Sequence, residues 1–201
     1  MKRVVLALAV AAALLGLAVA GRWAAPFLAP SATPSWLARA AYPLEHTTAI
    51  RAAARRNHLD PALVAAVIYA ESRFDEHARS ARGAIGLMQV LPVTAEQIAR
   101  ETGGATFVPA DLEDPAVNVR YGCYYLRRAL EAVDGDTLAA VASYNAGMGA
   151  VGRWEKAADG RLRLDDIRYA ETRAYVERVL ALRRLYRDAY GARLQTPDAP
   201  G

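Results

Sequence analysis

Residues 62–70 form a run that is apolar on every face a helix could present. Asp60-Pro61 stands directly before it. An aspartate caps the first turn of a helix and proline is tolerated at the first helical position, so this pair is typical of a helix start. Because a helix without a polar face is stable only when other elements surround it, the run predicts a helix at the centre of the fold.

The rest of the chain carries helix signals and almost no strand alternation. Gly103 and Gly147 follow apolar periodic segments and predict helix ends. The predicted helix starts are Pro43, Asp60-Pro61, the capping-box pattern at Thr94, Asp114-Pro115, Asp136 and Glu171, the last of these opening a helix to Tyr190. We therefore expect one all-α domain over residues 44–190.

The N-terminus has the pattern of an export signal. Lys2 and Arg3 precede an apolar run over residues 4–20, which predicts a signal peptide or a membrane anchor. Ala18-Val19-Ala20 fits a cleavage site, whereas an uncleaved segment would associate the protein with the inner or outer membrane. An apolar core helix is the third interpretation. Either of the first two exports the rest of the chain.

Two further segments are predicted to lie outside the domain. Residues 21–43 contain Pro26, Pro30 and Pro34 and read as a stiff linker. Residues 191–201 are expected to form a flexible tail.

Composition excludes several classes of protein. Cys123 is the one cysteine, so a disulfide scaffold or a four-cysteine metal site is excluded. His46, His58 and His77 lack metal-ligand spacing, and we expect neither a metal nor a cofactor. The formal charge is +4 and acidic residues are interspersed among the arginines, so the charge does not indicate a nucleic-acid partner. We expect the protein to be a monomer.

Glu71 is the carboxylate in the last turn of the predicted central helix. Burial and the negative end of the helix dipole both disfavour its anion, and a glutamic acid that stays protonated can serve as a general acid. A glutamate that ends a helix is more often simply solvated. Gln89 in an apolar glycine-bearing segment, and Asn145 near a helix end, are further candidates for ligand hydrogen bonds.

The order of these segments resembles the catalytic domain of the soluble lytic transglycosylases, over about residues 44–190. The motifs that carry the resemblance are Glu71-Ser72-Arg73-Phe74, the segment 83–94, Asp114-Pro115 with Asn118, Ser143-Tyr144-Asn145-Ala146-Gly147, and Glu171-Thr172-Arg173 with Tyr175-Val176. The sequence departs from the family pattern at Ser143, where alanine is common, and at Leu91, where methionine is frequent.

The resemblance implies a lysozyme-like α-helical fold that binds glycan strands of peptidoglycan. It implies non-hydrolytic cleavage of the β-1,4 bond between N-acetylmuramic acid and N-acetylglucosamine, with 1,6-anhydro products. Glu71 would be the single acid and base, assisted by the N-acetyl group of the substrate. The implied substrate-binding residues are Ser80, Gln89, Tyr144, Asn145, Glu171 and Tyr175. The alternatives are a lysozyme-type hydrolase and a non-catalytic peptidoglycan-binding module.

Overall fold

The computed structural model describes residues 35–104, 106–158 and 160–195. The predicted signal peptide or anchor, most of the predicted linker and residues 196–201 lie outside these ranges. Within them, no helix combines the length and apolarity that a membrane crossing requires.

The described chain is all-α, as predicted. Its α-helices are α1 (Ser35–Ala41), α2 (Thr47–Arg56), α3 (Pro61–Ser72), α4 (Pro92–Thr102), α5 (Pro115–Glu131), α6 (Thr137–Ala146), α7 (Met148–Ala157) and α8 (Ala170–Gln195). Short 3-10 helices cover Pro109–Glu113 and Leu164–Asp166. The described residues contain no β-strand, only isolated bridges that join Ile85 to Arg79 and to Val90.

The central helix of the prediction is α3. Each of its residues from Ala62 to Ile68 is buried, and its most extensive packing is against α8. Because α3 has almost no polar face, its own sequence does not determine which side is buried. The helices packed around it determine which of its residues reach the surface of the protein. Glu71 in its last turn is half-buried, at the point where the helix leaves the core.

The three predicted aspartate caps are confirmed. The side chains of Asp60, Asp114 and Asp136 accept hydrogen bonds from backbone N–H groups in the first turns of α3, α5 and α6. Each cap of this kind contributes about 1 kcal/mol. The glycine stops are also confirmed, because Gly103 and Gly147 end α4 and α6 with φ of 77° and 86°.

Asp60 also fixes α3 against α8. Its Oδ2 accepts from Arg183 Nε at 2.7 Å and from Arg187 Nη2 at 3.3 Å. Burial alone would raise the pKa of Asp60, but the hydrogen bonds from Arg183 and from the Ala62 backbone, together with the positive charges of Arg183 and Arg187, outweigh it and the pKa lies below its ordinary value. The start of α3 is therefore bonded to the same helix that packs along its length.

The prediction of a linker up to residue 43 is wrong from Ser35 onward. The three prolines all precede α1, and within α1 Ala38 and Ala41 are buried against α8. Tyr190 Oη donates to the carbonyl oxygen of Tyr42 at 3.0 Å. Local patterns do not reveal this helix, because it is short and its burial depends on a contact with the distant end of the chain.

Two predicted boundaries and the predicted tail also differ. Helix α2 begins at Thr47 rather than at Pro43, because His46 adopts a left-handed conformation with φ of 49°. Helix α4 begins at Pro92 instead of being capped at Thr94, since the proline already fits its first turn. Helix α8 continues to Gln195, where Leu194 is buried, so the flexible tail is wrong for residues 191–195.

One close approach fixes the segment before α4 against α5. A Cβ atom at Gly122 would lie 2.7 Å from Met88 Cβ and 2.5 Å from Met88 Sδ. Gly122→Ala is therefore expected to lower the free energy of unfolding by about 1–3 kcal/mol, measured by urea denaturation, because the core would be overpacked.

Gly152→Ala is the matched control, since Gly152 lies inside α7 and a Cβ there meets nothing within 4 Å. This control should raise the free energy of unfolding by about 0.5–1 kcal/mol. Wild-type stability in Gly122→Ala would contradict the close contact with Met88.

Candidate active site

Glu71 and Tyr175 form the centre of the site. Tyr175 lies in the second turn of α8 and is only 3% exposed. Its hydroxyl group donates to Glu71 Oε1 at 2.6 Å. The packing of α3 against α8 thus brings the acid predicted from the first motif to the tyrosine predicted from the last.

Burial raises the pKa of Glu71 above its ordinary value. The hydrogen bond from Tyr175 and the positive charge of Arg178 oppose this shift, because both stabilise the carboxylate. The Arg178 guanidinium lies 5.8 Å from the centre of the Tyr175 ring, one turn further along α8. The Glu71 carboxyl group therefore holds its proton to a higher pH than an ordinary glutamic acid does. The Tyr175 hydroxyl group is in place to donate a hydrogen bond to the anion when it forms.

Tyr144 approaches Glu71 from α6. Its hydroxyl group donates to the Met88 carbonyl oxygen at 2.9 Å. Burial, and then the nearby charge of Glu71, raise the pKa of Tyr144 well above its ordinary value, so the phenol stays neutral. Tyr144 therefore connects α6 to the segment that carries Gln89.

Gln89 stands in a left-handed conformation, with φ of 48°. Its amide nitrogen donates to the carbonyl oxygens of Ala78 at 3.0 Å and Gly86 at 2.9 Å. Both hydrogens of the Gln89 amide are thus bonded to backbone carbonyl oxygens of the protein. Gln89 Oε1 is the atom left to accept a hydrogen bond from a ligand.

The turn before Gln89 is held by Asn118, a fully buried residue of α5. Asn118 Oδ1 accepts from the backbone N–H of Met88 at 2.8 Å, and its amide group donates to the carbonyl oxygens of Ile85 and Leu112. The motif that contains Asn118 was recognised in the sequence, but this role was not. A polar residue amid the apolar positions of a helix was the available signal.

Asn145 is oriented by Thr172, whose role was not evident in the sequence either. Thr172 Oγ1 donates to Asn145 Oδ1 at 2.7 Å, from the first turn of α8. With its oxygen bonded in this way, Asn145 has its amide nitrogen left to donate to a ligand. Next to it, the fully buried Ser143 hydroxyl group has no hydrogen-bond partner among the described residues.

Ser80 and Glu171 are exposed and stand apart from these contacts. Ser80 Oγ accepts from the backbone N–H of Ala84 at 3.0 Å and so stabilises the turn that leads to Gln89. Glu171 lies in the first turn of α8, where a carboxylate complements the helix dipole. Their predicted contacts with substrate stay predictions.

The described residues include no cluster of three histidine, cysteine or acidic side chains suited to a metal ion. Cys123 is buried in α5, and burial raises the pKa of its thiol far above the ordinary value. The groups that can act on a ligand here are one carboxyl group, two phenols and two amides.

An all-α fold in which a half-buried glutamic acid is bonded to a tyrosine is consistent with a lysozyme-like domain. The family described as "Transglycosylase SLT domain" matches residues 48–166. The chain belongs to this family.

Similar proteins include the soluble lytic murein transglycosylase of Salmonella typhimurium, 30% identical over 155 residues that cover 75% of this chain and 24% of the relative. The membrane-bound lytic murein transglycosylase C of Haemophilus influenzae is 37% identical over 111 residues, 51% of this chain and 31% of that protein. This chain therefore spans about a quarter to a third of the length of these relatives.

Solved structures of lytic transglycosylases are also similar to this chain. The 70 kDa soluble lytic transglycosylase of Escherichia coli superposes with a TM-score of 0.73 at 28% identity, over 77% of this chain and 26% of the other. An inactive mutant of the lytic transglycosylase Slt from Pseudomonas aeruginosa gives 0.71 at 33% identity, over 77% and 26%.

The raised pKa of Glu71 predicts a pH-dependent gain in stability for Glu71→Gln. Ionising Glu71 costs more in the folded than in the unfolded chain, so wild-type stability falls as the pH rises through the folded-state pKa. The glutamine variant lacks this loss. Its free energy of unfolding should exceed that of wild type at pH 8, and the difference should vanish below the ordinary value of 4.5.

The control for this prediction is Glu177→Gln, an exposed glutamate on the same helix α8. It should show no such pH-dependent gain in urea titrations. A Glu71→Gln protein that is less stable than wild type at pH 8 and equal to it at pH 4 would show that the shift in the pKa of Glu71 has the opposite sign.

Proposed function

We propose that this protein is a lytic transglycosylase that cleaves the glycan strands of peptidoglycan. The observation that carries the proposal is the half-buried Glu71, with a raised pKa and the hydroxyl group of Tyr175 at 2.6 Å. The relatives are named lytic murein transglycosylases, which supports the same substrate. The proposed active domain is the helical domain over residues 35–195, exported to the cell envelope and acting as a monomer.

In the first step, protonated Glu71 donates its proton to the glycosidic oxygen. The bond between that oxygen and C1 of N-acetylmuramic acid breaks, and N-acetylglucosamine leaves with a free hydroxyl group. The N-acetyl oxygen of the muramic acid bonds to C1 and takes up the developing positive charge. Tyr175 donates to the new carboxylate and stabilises it.

In the second step, the Glu71 carboxylate removes the proton of the C6 hydroxyl group. The C6 oxygen bonds to C1, the N-acetyl oxygen is released, and a 1,6-anhydro ring forms. Glu71 regains its proton and no water is consumed. A carboxyl group whose pKa is raised toward neutrality suits both transfers, since it must give and take a proton at one pH.

Substrate assistance is favoured because no second carboxylate is bonded to the site among the described residues. Retaining glycosidases that form a covalent intermediate place two carboxyl groups about 5 Å apart. Asp75, the next acidic residue along the chain, is exposed and accepts from the backbone N–H of His77 at 2.9 Å. Gln89 Oε1 and the Asn145 amide nitrogen are then the atoms proposed to hold the acetamido groups of the substrate. Tyr144 fixes the turn that carries Gln89.

Digestion of purified sacculi tests this function. Wild-type protein should release muropeptides that end in 1,6-anhydro-N-acetylmuramic acid, identified by mass spectrometry. Glu71→Gln should reduce the release at least about a hundredfold, the lower range for loss of general acid–base catalysis. Glu177→Gln, which changes an exposed carboxylate on α8, should keep wild-type activity.

Products heavier by one water would instead show hydrolysis of the lysozyme type. Normal release by Glu71→Gln would remove Glu71 from the reaction. A folded wild-type protein that binds sacculi and releases nothing would favour a non-catalytic peptidoglycan-binding module.

A further inference from the structure

Tyr169 lies immediately before α8 and is followed at intervals of three residues by Thr172 and Tyr175, two buried residues of that helix. The backbone of Tyr169 is bonded to that of Arg173, so it lies directly next to the first turn of α8, which contains Thr172. Thr172 bonds to Asn145, and Tyr175 bonds to Glu71. Tyr169 therefore lies just before the two residues of α8 that bond to the amide and to the acid.

Tyr169 differs from the other aromatic residues because its side chain faces solvent. It is 53% exposed, and it is the aromatic residue among the exposed large hydrophobic residues of the described chain. Apolar surface of this size is costly to leave in water, and exposed aromatic rings are frequent where a ligand binds. The proposed reaction does not use it.

The Tyr169 ring is nevertheless fixed in place. It meets Trp154 edge to face, with centroids 5.1 Å apart and planes at 85°. Trp154 is buried in α7, and the Tyr169 carbonyl oxygen accepts from the backbone N–H of Arg173 at 3.0 Å. Because the Tyr169 ring packs against Trp154 and is otherwise exposed to solvent, it is already ordered before a ligand binds. This order lowers the entropic cost of binding.

The spacing along α8 suits a sugar chain. Tyr169 precedes Tyr175 by six residues at the start of α8, and at about 1.5 Å of rise per residue their backbones are about 9 Å apart along the helix axis, the length of one to two sugar rings. The face of an N-acetylhexosamine ring carries C–H groups, which pack on an aromatic ring, while its edges carry the polar groups that Asn145 can bind.

We propose that Tyr169, supported by Trp154, is a platform on which one N-acetylhexosamine ring of the glycan strand stacks, one to two units from the cleaved bond. This inference rests on the proposed function. It assigns to Tyr169 a share of substrate affinity and no part in proton transfer.

Steady-state cleavage of soluble uncross-linked glycan strands tests the platform. Tyr169→Ala should raise KM about three- to tenfold, the range of a lost aromatic contact, and change kcat less than about twofold. Tyr169→Phe and Tyr169→Trp should keep KM near the wild-type value, since the ring and not the hydroxyl group makes the contact. Val108→Ala removes a side chain that is 52% exposed elsewhere and should leave KM unchanged.

Binding of chitotetraose to the Glu71→Gln protein separates the platform from the reaction. Trp154 lies directly against Tyr169, so its fluorescence should change on binding. Adding Tyr169→Ala should weaken the binding several-fold, while adding Tyr169→Phe should not.

Unchanged KM and unchanged chitotetraose affinity in Tyr169→Ala would overturn the platform and leave the proposed function standing. Equal losses in Tyr169→Ala and Tyr169→Phe would overturn it as well, because the hydroxyl group would then make the contact. Wild-type protein that binds chitotetraose through Tyr169 but cleaves no glycan would instead overturn the proposed function alone.

Discussion

The hydrogen bond from Tyr175 to Glu71 depends on how two buried helices pack. Helix α3 ends where Glu71 reaches the surface, and α8 runs beside it with Asp60 bonded to Arg183 at the other end. A carboxyl group in this position is partly desolvated yet keeps one donor for its anion. Its two protonation states are thereby brought closer in free energy, which is the condition for a group that both gives and accepts a proton.

The polar residues around Glu71 serve mainly to fix backbone and one another. Asn118 and Tyr144 bond to the turn that carries Gln89, and Thr172 bonds to Asn145. The carbonyl oxygens of Ala78 and Gly86 occupy the amide nitrogen of Gln89, and Thr172 occupies the amide oxygen of Asn145. The group left for a ligand is therefore an oxygen at Gln89 and a nitrogen at Asn145. The scaffold therefore determines which polar atoms of these two amides are left unbonded by the protein.

Local chemistry made much of this fold predictable. Aspartate caps, glycine stops and the apolar run of α3 act within a few residues, and the structure confirms them. Helix α1 and the end of α8 were missed, because each is stabilised by the other across the whole length of the chain. In the site, Glu71 and Tyr175 followed from motifs, whereas the Thr172–Asn145 bond and the support of Tyr169 by Trp154 depend on contacts between helices, which no local pattern contains.

The most direct test of the central claim is the pKa of Glu71 itself, followed by carbon-13 NMR of the side-chain carboxyl groups across a pH titration. We predict that Glu71 titrates above 4.5, and that Tyr175→Phe raises its pKa further because the anion loses its donor. A Glu71 that titrates at or below 4.5, or whose titration does not change in Tyr175→Phe, would contradict the claim.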